Sequence, residues 1–70
     1  MSNYAITVPQ RLSDLAHEVA TEDLNSIVDD ILDEAGWSTL VITSEKTKDE
    51  IREAMSAYPC PENVTVEEIS

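Results

Sequence analysis

Four carboxylates fall within six residues of this chain and form its densest group of chemically active side chains. Asp29, Asp30, Asp33 and Glu34 lie in segment 26–37 (SIVDDILDEAGW), which contains no basic residue. Clustered carboxylates hold divalent cations or attract basic protein surfaces, and on an exposed helix they are often only the solvated face. The segment therefore poses a choice among a metal site, a partner-binding surface and ordinary solvent exposure.

The metal interpretation fails on spacing and on size. Residues 29–33 (DDILD) resemble the D-D-x-x-D motif with which isoprenoid synthases hold magnesium-diphosphate, but the resemblance covers five residues. Those enzymes are large all-helical proteins with a deep cavity, for which 70 residues that include strands have no room. A calcium loop has alternating ligands and a turn glycine, whereas Ile31 and Leu32 interrupt the acids here. No metal and no cofactor are predicted.

Catalytic constellations are sparse. His17 and Cys60 could form a base and nucleophile pair, but no H-E-x-x-H motif or nucleophile elbow accompanies them. One glycine in the chain excludes a glycine-rich phosphate loop. The favoured interpretation places His17 on a helix surface and Cys60 in a turn between two prolines. The sequence therefore predicts a protein that is not an enzyme.

The overall charge restricts the classes of partner. Fifteen acids against four bases give a net charge of −11, which repels nucleic acid and anionic membranes and attracts basic surfaces. No signal peptide and no apolar run of membrane length is present. We expect a single domain over residues 1–70 that is cytoplasmic. Because so small a core is marginal and the lone cysteine cannot form an internal disulfide, a homo-dimer is one expected source of stability.

The first half of the chain predicts one strand and two helices. Tyr4, Ile6 and Val8 alternate with smaller residues, as in a half-buried strand that Pro9 ends. Apolar residues at helical spacing predict a first helix over 10–20. Thr21 is a suitable N-cap for a second helix over 21–36, which a left-handed Gly36 would end. Its apolar positions are Leu24, Ile27, Val28, Ile31, Leu32 and Ala35. One continuous helix over 10–35 is the competing interpretation.

The second half predicts two strands around a third helix. The apolar run 40–42 is typical of a central strand covered on both faces. Thr47 and Glu50 form a capping box at the start of a helix over 48–58. Val64 and Val66 indicate a last strand. The predicted fold class is α+β, a two-layer sandwich in the order β-α-α-β-α-β, with a three-stranded sheet and right-handed parallel crossovers.

On this scheme the acids lie on the second helix, where they are energetically unfavourable. Asp29/Asp33 and Asp30/Glu34 would be like-charge pairs one turn apart, and the last two acids would oppose the helix dipole. Together these terms cost on the order of 1–2 kcal/mol. A sequence that tolerates this loss is expected to keep the charge for a partner. The predicted partner-binding residues are Glu22, Asp29, Asp30, Asp33, Glu34 and Trp37, and a merely solvated helix face is the alternative.

Trp37 directly follows the acids and has two interpretations, an interface anchor or a core residue under the edge of the sheet. The leading functional hypothesis is a non-catalytic protein that binds a basic surface of a nucleic-acid-handling protein. It would act as an adaptor, or as an inhibitor that mimics nucleic acid, as small acidic phage and mobile-element proteins do. The alternative is a structural protein that self-associates through an apolar surface and uses its charge for solubility.

Overall fold

Four strands form one antiparallel sheet in the computed structural model, which describes residues 1–58 and 61–69. The strands are β1 (Ser2–Pro9), β2 (Ile27–Glu34), β3 (Trp37–Ser44) and β4 (Thr65–Glu68). Their order across the sheet is β2-β3-β1-β4, and every neighbouring pair is antiparallel. β1 and β3 are therefore central, and β2 and β4 are the two edges.

Helical segments connect the strands. A 3₁₀ turn (Gln10–Leu12), helix α1 (Ser13–Glu18) and a π-helical turn (Val19–Asp23) follow one another between β1 and β2. Helix α2 (Lys48–Met55) and a second 3₁₀ turn (Pro61–Asn63) lie between β3 and β4. With β3 placed between β1 and β2, the connectivity is that of a split β-α-β, or ferredoxin-like, arrangement.

The core lies between the helices and one face of the sheet. The alternation in β1 buries Tyr4, Ile6 and Val8, and β3 contributes Leu40 and Ile42. They pack with residues of the helices and β4: Ala16, Ala20, Leu24, Ile51, Met55, Tyr58 and Val66. Fully burying one such aliphatic or aromatic side chain contributes about 1.5–3 kcal/mol. The opposite face of the sheet takes no part in this core.

Two core tyrosines also tie the layers together through their hydroxyl groups. Tyr4 donates a hydrogen bond of 2.8 Å to the carbonyl oxygen of Lys46, ahead of α2. Tyr58 donates to the carbonyl oxygen of Leu12, at the entry to α1. Burial raises the pKa of Tyr58. Each ring thus fills the core while its polar tip is satisfied by backbone.

The α+β class is confirmed, but the predicted number and direction of strands are wrong. The sheet has four antiparallel strands in place of three parallel ones, and the order is β-α-β-β-α-β. The additional strand forms a hairpin with β3, which reverses the direction of the chain before it reaches the centre of the sheet. The apolar run 40–42 is central as expected, but only one face of it is covered by helices, because Val41 lies on the opposite side.

The predicted second helix over 21–36 is wrong, because residues 27–34 form strand β2. A β-bulge explains why its apolar residues have helical spacing. The register skips between Val28, opposite Ile42, and Asp30, opposite Val41. The extra residue brings Val28 and Ile31 to the same face of the sheet, three positions apart instead of two or four. The bulge therefore imitates the i, i+3 period of a helix, and the helical like-charge penalty does not apply.

The first helical segment extends to residue 23, beyond the predicted end near residue 20. Thr21 does not cap a new helix, since its hydroxyl donates back to the carbonyl oxygen of His17 at 2.8 Å. Asn25 has a φ of 51°, a left-handed conformation that asparagine tolerates well at the end of a helix. The backbone N–H of Ser26 then donates to the carbonyl oxygen of Ala20 at 2.9 Å. The chain turns here into β2.

The left-handed conformation predicted at Gly36 occurs in a hairpin turn rather than at a helix end. Ala35 and Gly36 join β2 to β3 with φ values of 52° and 84°. Positive φ at both central residues is the requirement of a type I′ turn, which suits the twist of a hairpin. Glycine adopts it freely, whereas alanine does so at a steric penalty. Ala35 is therefore a strained position in the fold.

The capping box of α2 is confirmed. Thr47 accepts a hydrogen bond from the backbone N–H of Glu50 at 3.2 Å, and the Glu50 carboxylate accepts one from the backbone N–H of Thr47 at 3.1 Å. The backbone N–H of Thr47, then the nearby Thr47 hydroxyl and, to a smaller extent, Lys46 hold the pKa of the Glu50 carboxylate below its ordinary value. The helix begins where the sequence predicts and ends at Met55, three residues early.

Replacing Ala35 should stabilise the protein. Ala35→Asn converts the turn to Asn-Gly and should raise the free energy of unfolding by about 0.5–1 kcal/mol, because asparagine tolerates a positive φ better than alanine. Urea unfolding measures the change. Gly36→Ala is the matched control: its new methyl group meets nothing within 4 Å, so backbone strain alone should destabilise it by about 1 kcal/mol. Equal stability of all three proteins would contradict the type I′ turn.

Thr47→Ala should remove the cap of α2 and lower the free energy of unfolding by about 1 kcal/mol, whereas Thr47→Ser should retain it. In Thr47→Ala the pKa of Glu50, followed by NMR, should rise part of the way to its ordinary value, since the backbone N–H remains. A lowered folded-state pKa gives stability that is present above the unfolded pKa and is lost as pH falls through the folded pKa. The acid-side loss of stability should thus be weaker in Thr47→Ala. An unchanged Glu50 pKa would contradict the capping box.

Candidate partner-binding surface

The four clustered carboxylates lie on an edge strand. Asp29, Asp30, Asp33 and Glu34 are all exposed on β2, the outer strand next to β3. β2 is exposed along its whole length apart from Val28, which is partly buried. An edge strand places side chains on both faces of the sheet and leaves one row of backbone groups unpaired. The acids are therefore divided between the two faces instead of forming one helical stripe.

The register assigns each acid to a face. Directly opposed residues of an antiparallel pair share a face. Asp30 is opposite Val41 and Glu34 is opposite Trp37, on the face away from the helices. Asp33 is opposite the buried Ser38, on the helix side. The bulge also brings Asp29 to the face away from the helices, where its carboxylate accepts a hydrogen bond from Thr43. We call this side of the sheet the open face.

Three of these carboxylates are held by hydrogen bonds. The hydroxyl of Thr43, on the open face, lies 2.5 Å from Asp29 Oδ2 and 2.8 Å from Asn3 Oδ1, and its single proton serves one acceptor at a time. Asp33 accepts a hydrogen bond from the hydroxyl of Ser38. Asp30 Oδ1 accepts the backbone N–H of Ile31 at 2.9 Å. The acids therefore have fixed positions and a local structural role as well as a charge.

The open face has a centre of small side chains. Its central strands contribute Thr39 and Val41 from β3, and Ala5 and Thr7 from β1, all partly buried. The hydroxyls of Thr7 and Thr39 lie 3.1 Å apart and form a hydrogen bond across the strands. No helix of the described chain covers these residues, because both helices pack on the other face. The centre of the open face thus consists of small and only weakly polar side chains.

Larger apolar side chains surround that centre. The exposed fraction is 60% for Ile27 and 55% for Leu32, which lie opposite Thr43 and Thr39 on the open face. Trp37 is 44% exposed between Glu34 and Pro9. Single exposed apolar residues are common, but several on one sheet face are typical of an interaction surface. Trp37 is not the core residue that one interpretation of the sequence predicted.

The charge of the strands has one sign. They carry six acids: Asp29, Asp30, Asp33 and Glu34 on β2, and Glu67 and Glu68 on β4. No basic residue lies on any strand, and the bases Arg11, Lys46, Lys48 and Arg52 all lie in the helical segments or next to them. On β4, Glu67 is opposite Ala5 on the open face, whereas Glu68 is opposite Tyr4 on the helix side. Acids therefore border the open face along both edges.

The predicted partner-binding residues are only partly brought together. Asp29, Asp30, Glu34 and Trp37 share the open face, and Asp33 lies on the same strand but points to the other side. Glu22 belongs to the π-helical turn and is not on the sheet. Ile27, Leu32 and Glu67 complete the surface, although none of them is among the predicted partner-binding residues. The alternation of threonine with buried residues in β1 and β3 was the available signal for an uncovered face.

Other chemistry finds little support in the geometry. His17 is exposed on α1, as predicted, and Cys60 lies outside the described residues. Within residues 1–58 and 61–69, no three His, Cys, Asp or Glu side chains are arranged to hold a metal ion. None of the helices in this part of the chain is long and apolar enough to cross a membrane.

The uniform sign of the β2 acids should make stability depend on salt. Added NaCl screens their repulsion, so the free energy of unfolding should rise between 10 and 500 mM NaCl. Asp30→Asn with Glu34→Gln should reduce this dependence, as measured by urea unfolding. Glu18→Gln with Glu53→Gln makes the same change in charge on the helical side, where acids and bases are mixed along the chain, and should reduce it less. Equal effects of the two pairs would show that only net charge matters.

Comparison with known proteins identifies no relative of this chain. No protein-family model, no curated protein and no solved structure matches it. Its function therefore has to be argued from the sheet surface and its charge.

Proposed function

We propose that this protein is a non-catalytic interaction protein that binds a basic surface of a nucleic-acid-handling protein through its acidic sheet. The observation that carries the proposal is the single sign of the charge on the strands: they hold six acids and no base, whereas all four bases lie with the other nine acids outside the strands. Basic surfaces that evolved for phosphates recognise carboxylates through the same charge-assisted hydrogen bonds. The protein would act there as an inhibitor or an adaptor.

The linear density of charge on β2 supports a comparison with nucleic acid. Four carboxylates in residues 29–34 span about 17 Å of extended chain, a mean spacing of roughly 6 Å. One strand of DNA carries a charge every ~3.4 Å along its axis, so β2 has roughly half of that charge density. The hydrogen bonds of Asp29 and Asp33 hold two of these carboxylates in place, which reduces the entropy lost on binding. A groove lined by Arg and Lys could accept such a strand in place of a phosphate backbone.

A second candidate function is self-association through the open face. The exposed Ile27, Leu32 and Trp37 favour it, because a homo-dimer would bury all three. The charge opposes it, since every copy presents acids on the same surface. The two candidates differ in their response to salt. Screening weakens binding to a basic partner and strengthens association between two acidic copies.

The proposal predicts capture of nucleic-acid-binding proteins by the immobilised protein from a lysate of its source organism. Captured partners should elute between 50 and 500 mM NaCl and should be displaced by a double-stranded oligonucleotide, because both compete for the same basic groups. Asp30→Lys with Glu34→Lys should abolish capture. These two positions are preferred to Asp29 and Asp33, whose carboxylates accept hydrogen bonds from neighbouring strands.

The matched control is Glu18→Lys with Glu53→Lys, which makes the same change in net charge on the helical side and should retain capture. Circular dichroism should show that both double variants are folded. Equal loss in both would leave only a net-charge effect and would contradict a specific acidic sheet. Sedimentation of the free protein at 500 mM NaCl tests the second candidate. A dimer there, with no basic partner captured at low salt, would favour self-association.

A further inference from the structure

The open face defines the kind of partner segment more closely than its charge does. We propose that this face receives a basic amphipathic α-helix of the partner, laid along β1 and β3, an inference that rests on the proposed function. The apolar side of that helix covers the small central side chains. Its Lys and Arg side chains reach the acids along both edges of the sheet.

The dimensions of the sheet fit one helix. Four strands at ~4.8 Å spacing place β2 and β4 about 14 Å apart, and a helix with its side chains is about 10–12 Å across. An eight-residue strand is about 27 Å long, the length of roughly 18 helical residues. The face already covered shows that these strands accept helices, because α1 and α2 pack on it. A partner helix would complete a third layer.

The apolar side chains are placed to contact such a helix. Thr39, Val41, Ala5 and Thr7 leave a low strip over the two central strands, with Leu32 and Trp37 beside it. Tryptophan is among the residues that dominate interface energetics, and Trp37 is more than two-fifths exposed. Covering the strip would remove from water apolar side chains on the face of the sheet that the protein's own helices leave uncovered within the described residues.

Charge complementarity identifies the helix as basic. Asp29, Asp30 and Glu34 border the strip along β2, and Glu67 borders it along β4. Lys and Arg on the two flanks of an amphipathic helix would each meet acids, while Leu or Ile between them would face the threonines. A second copy of this chain does not fit, because its own sheet carries no base.

The edge of β2 is a poorer place for the partner. A strand added there needs a regular row of free backbone groups, but the bulge at Asp29 interrupts the row. In addition, the backbone N–H of Ile31 already donates a hydrogen bond to the Asp30 carboxylate, so it is not free to pair with an added strand. Bulges and charges of this kind protect natural edge strands against pairing. The face is therefore the better docking surface.

A synthetic peptide tests the proposal directly. The probe is an 18-residue Lys/Leu peptide with helical periodicity, and the comparator has the same composition with strict alternation, which favours a strand. Trp37 is the only tryptophan and lies on the open face, so its fluorescence reports binding. The helical peptide should bind at least fivefold more tightly than the comparator at 50 mM NaCl and should gain helical circular dichroism. Tighter binding of the alternating peptide would overturn the proposal in favour of edge pairing.

Adjacent residues on opposite faces provide matched controls. Glu67→Lys on the open face should weaken binding of the helical peptide about fivefold, whereas Glu68→Lys should change it less than twofold. Leu32→Ala should weaken binding and Ile31→Ala, on the helix side of the same strand, should not. Equal effects within either pair, or no binding of the helical peptide, would overturn the docking face. The proposed function fails separately, if reversal of Asp30 and Glu34 leaves capture of the basic partner unchanged.

Discussion

One helical layer has to stabilise a sheet that has two faces, and the rest of the structure depends on this constraint. In a split β-α-β arrangement both connections return on the same side of the sheet. Tyr4, Ile6 and Val8 must therefore be large and apolar, whereas Ala5 and Thr7 between them remain without a covering layer. Buried and partly buried side chains alternate along β1 and β3 because only one face of the sheet is covered by helices.

Features determined by neighbouring residues could be predicted from the sequence. The strand at residues 4–8, the capping box of Thr47 and Glu50 and the positive φ of Gly36 each depend on only a few positions, and all three are present. The interpretation of Gly36 was wrong because a helix end and a type I′ turn make the same demand on it. Ala35 makes the hairpin harder to recognise, because an asparagine at this position would give the Asn-Gly sequence typical of a type I′ turn.

β2 could not be predicted from periodicity because its bulge changes the phase of the pattern. Val28 and Ile31 share the helix side of the sheet although three residues separate them, and Ile27 and Leu32 share the other side. Only pairing with β3, a contact between distant residues, makes this pattern consistent with a strand. Because a helix is predicted where β2 lies, the predicted number of strands, their directions and the helical like-charge penalty are all wrong.

The acidic character of the candidate surface could be predicted from the sequence, but the face on which each residue lies could not. Net charge and the density of acids in residues 29–34 belong to the composition, and they hold whatever the secondary structure is. The addition of Leu32, Ile27 and Glu67 required the register of the sheet. Glu22 belongs to the predicted site only through the expected helix over 21–36, and it lies in the helical layer.

The strands carry six acids and no base, whereas the rest of the chain carries the other nine acids together with all four bases. The net charge is therefore −6 on the strands and −5 elsewhere. Attraction to a cationic body at long range acts on both parts of the molecule. The difference between them acts at close range, where a cationic side chain meets only acids on the strands but acids mixed with bases elsewhere.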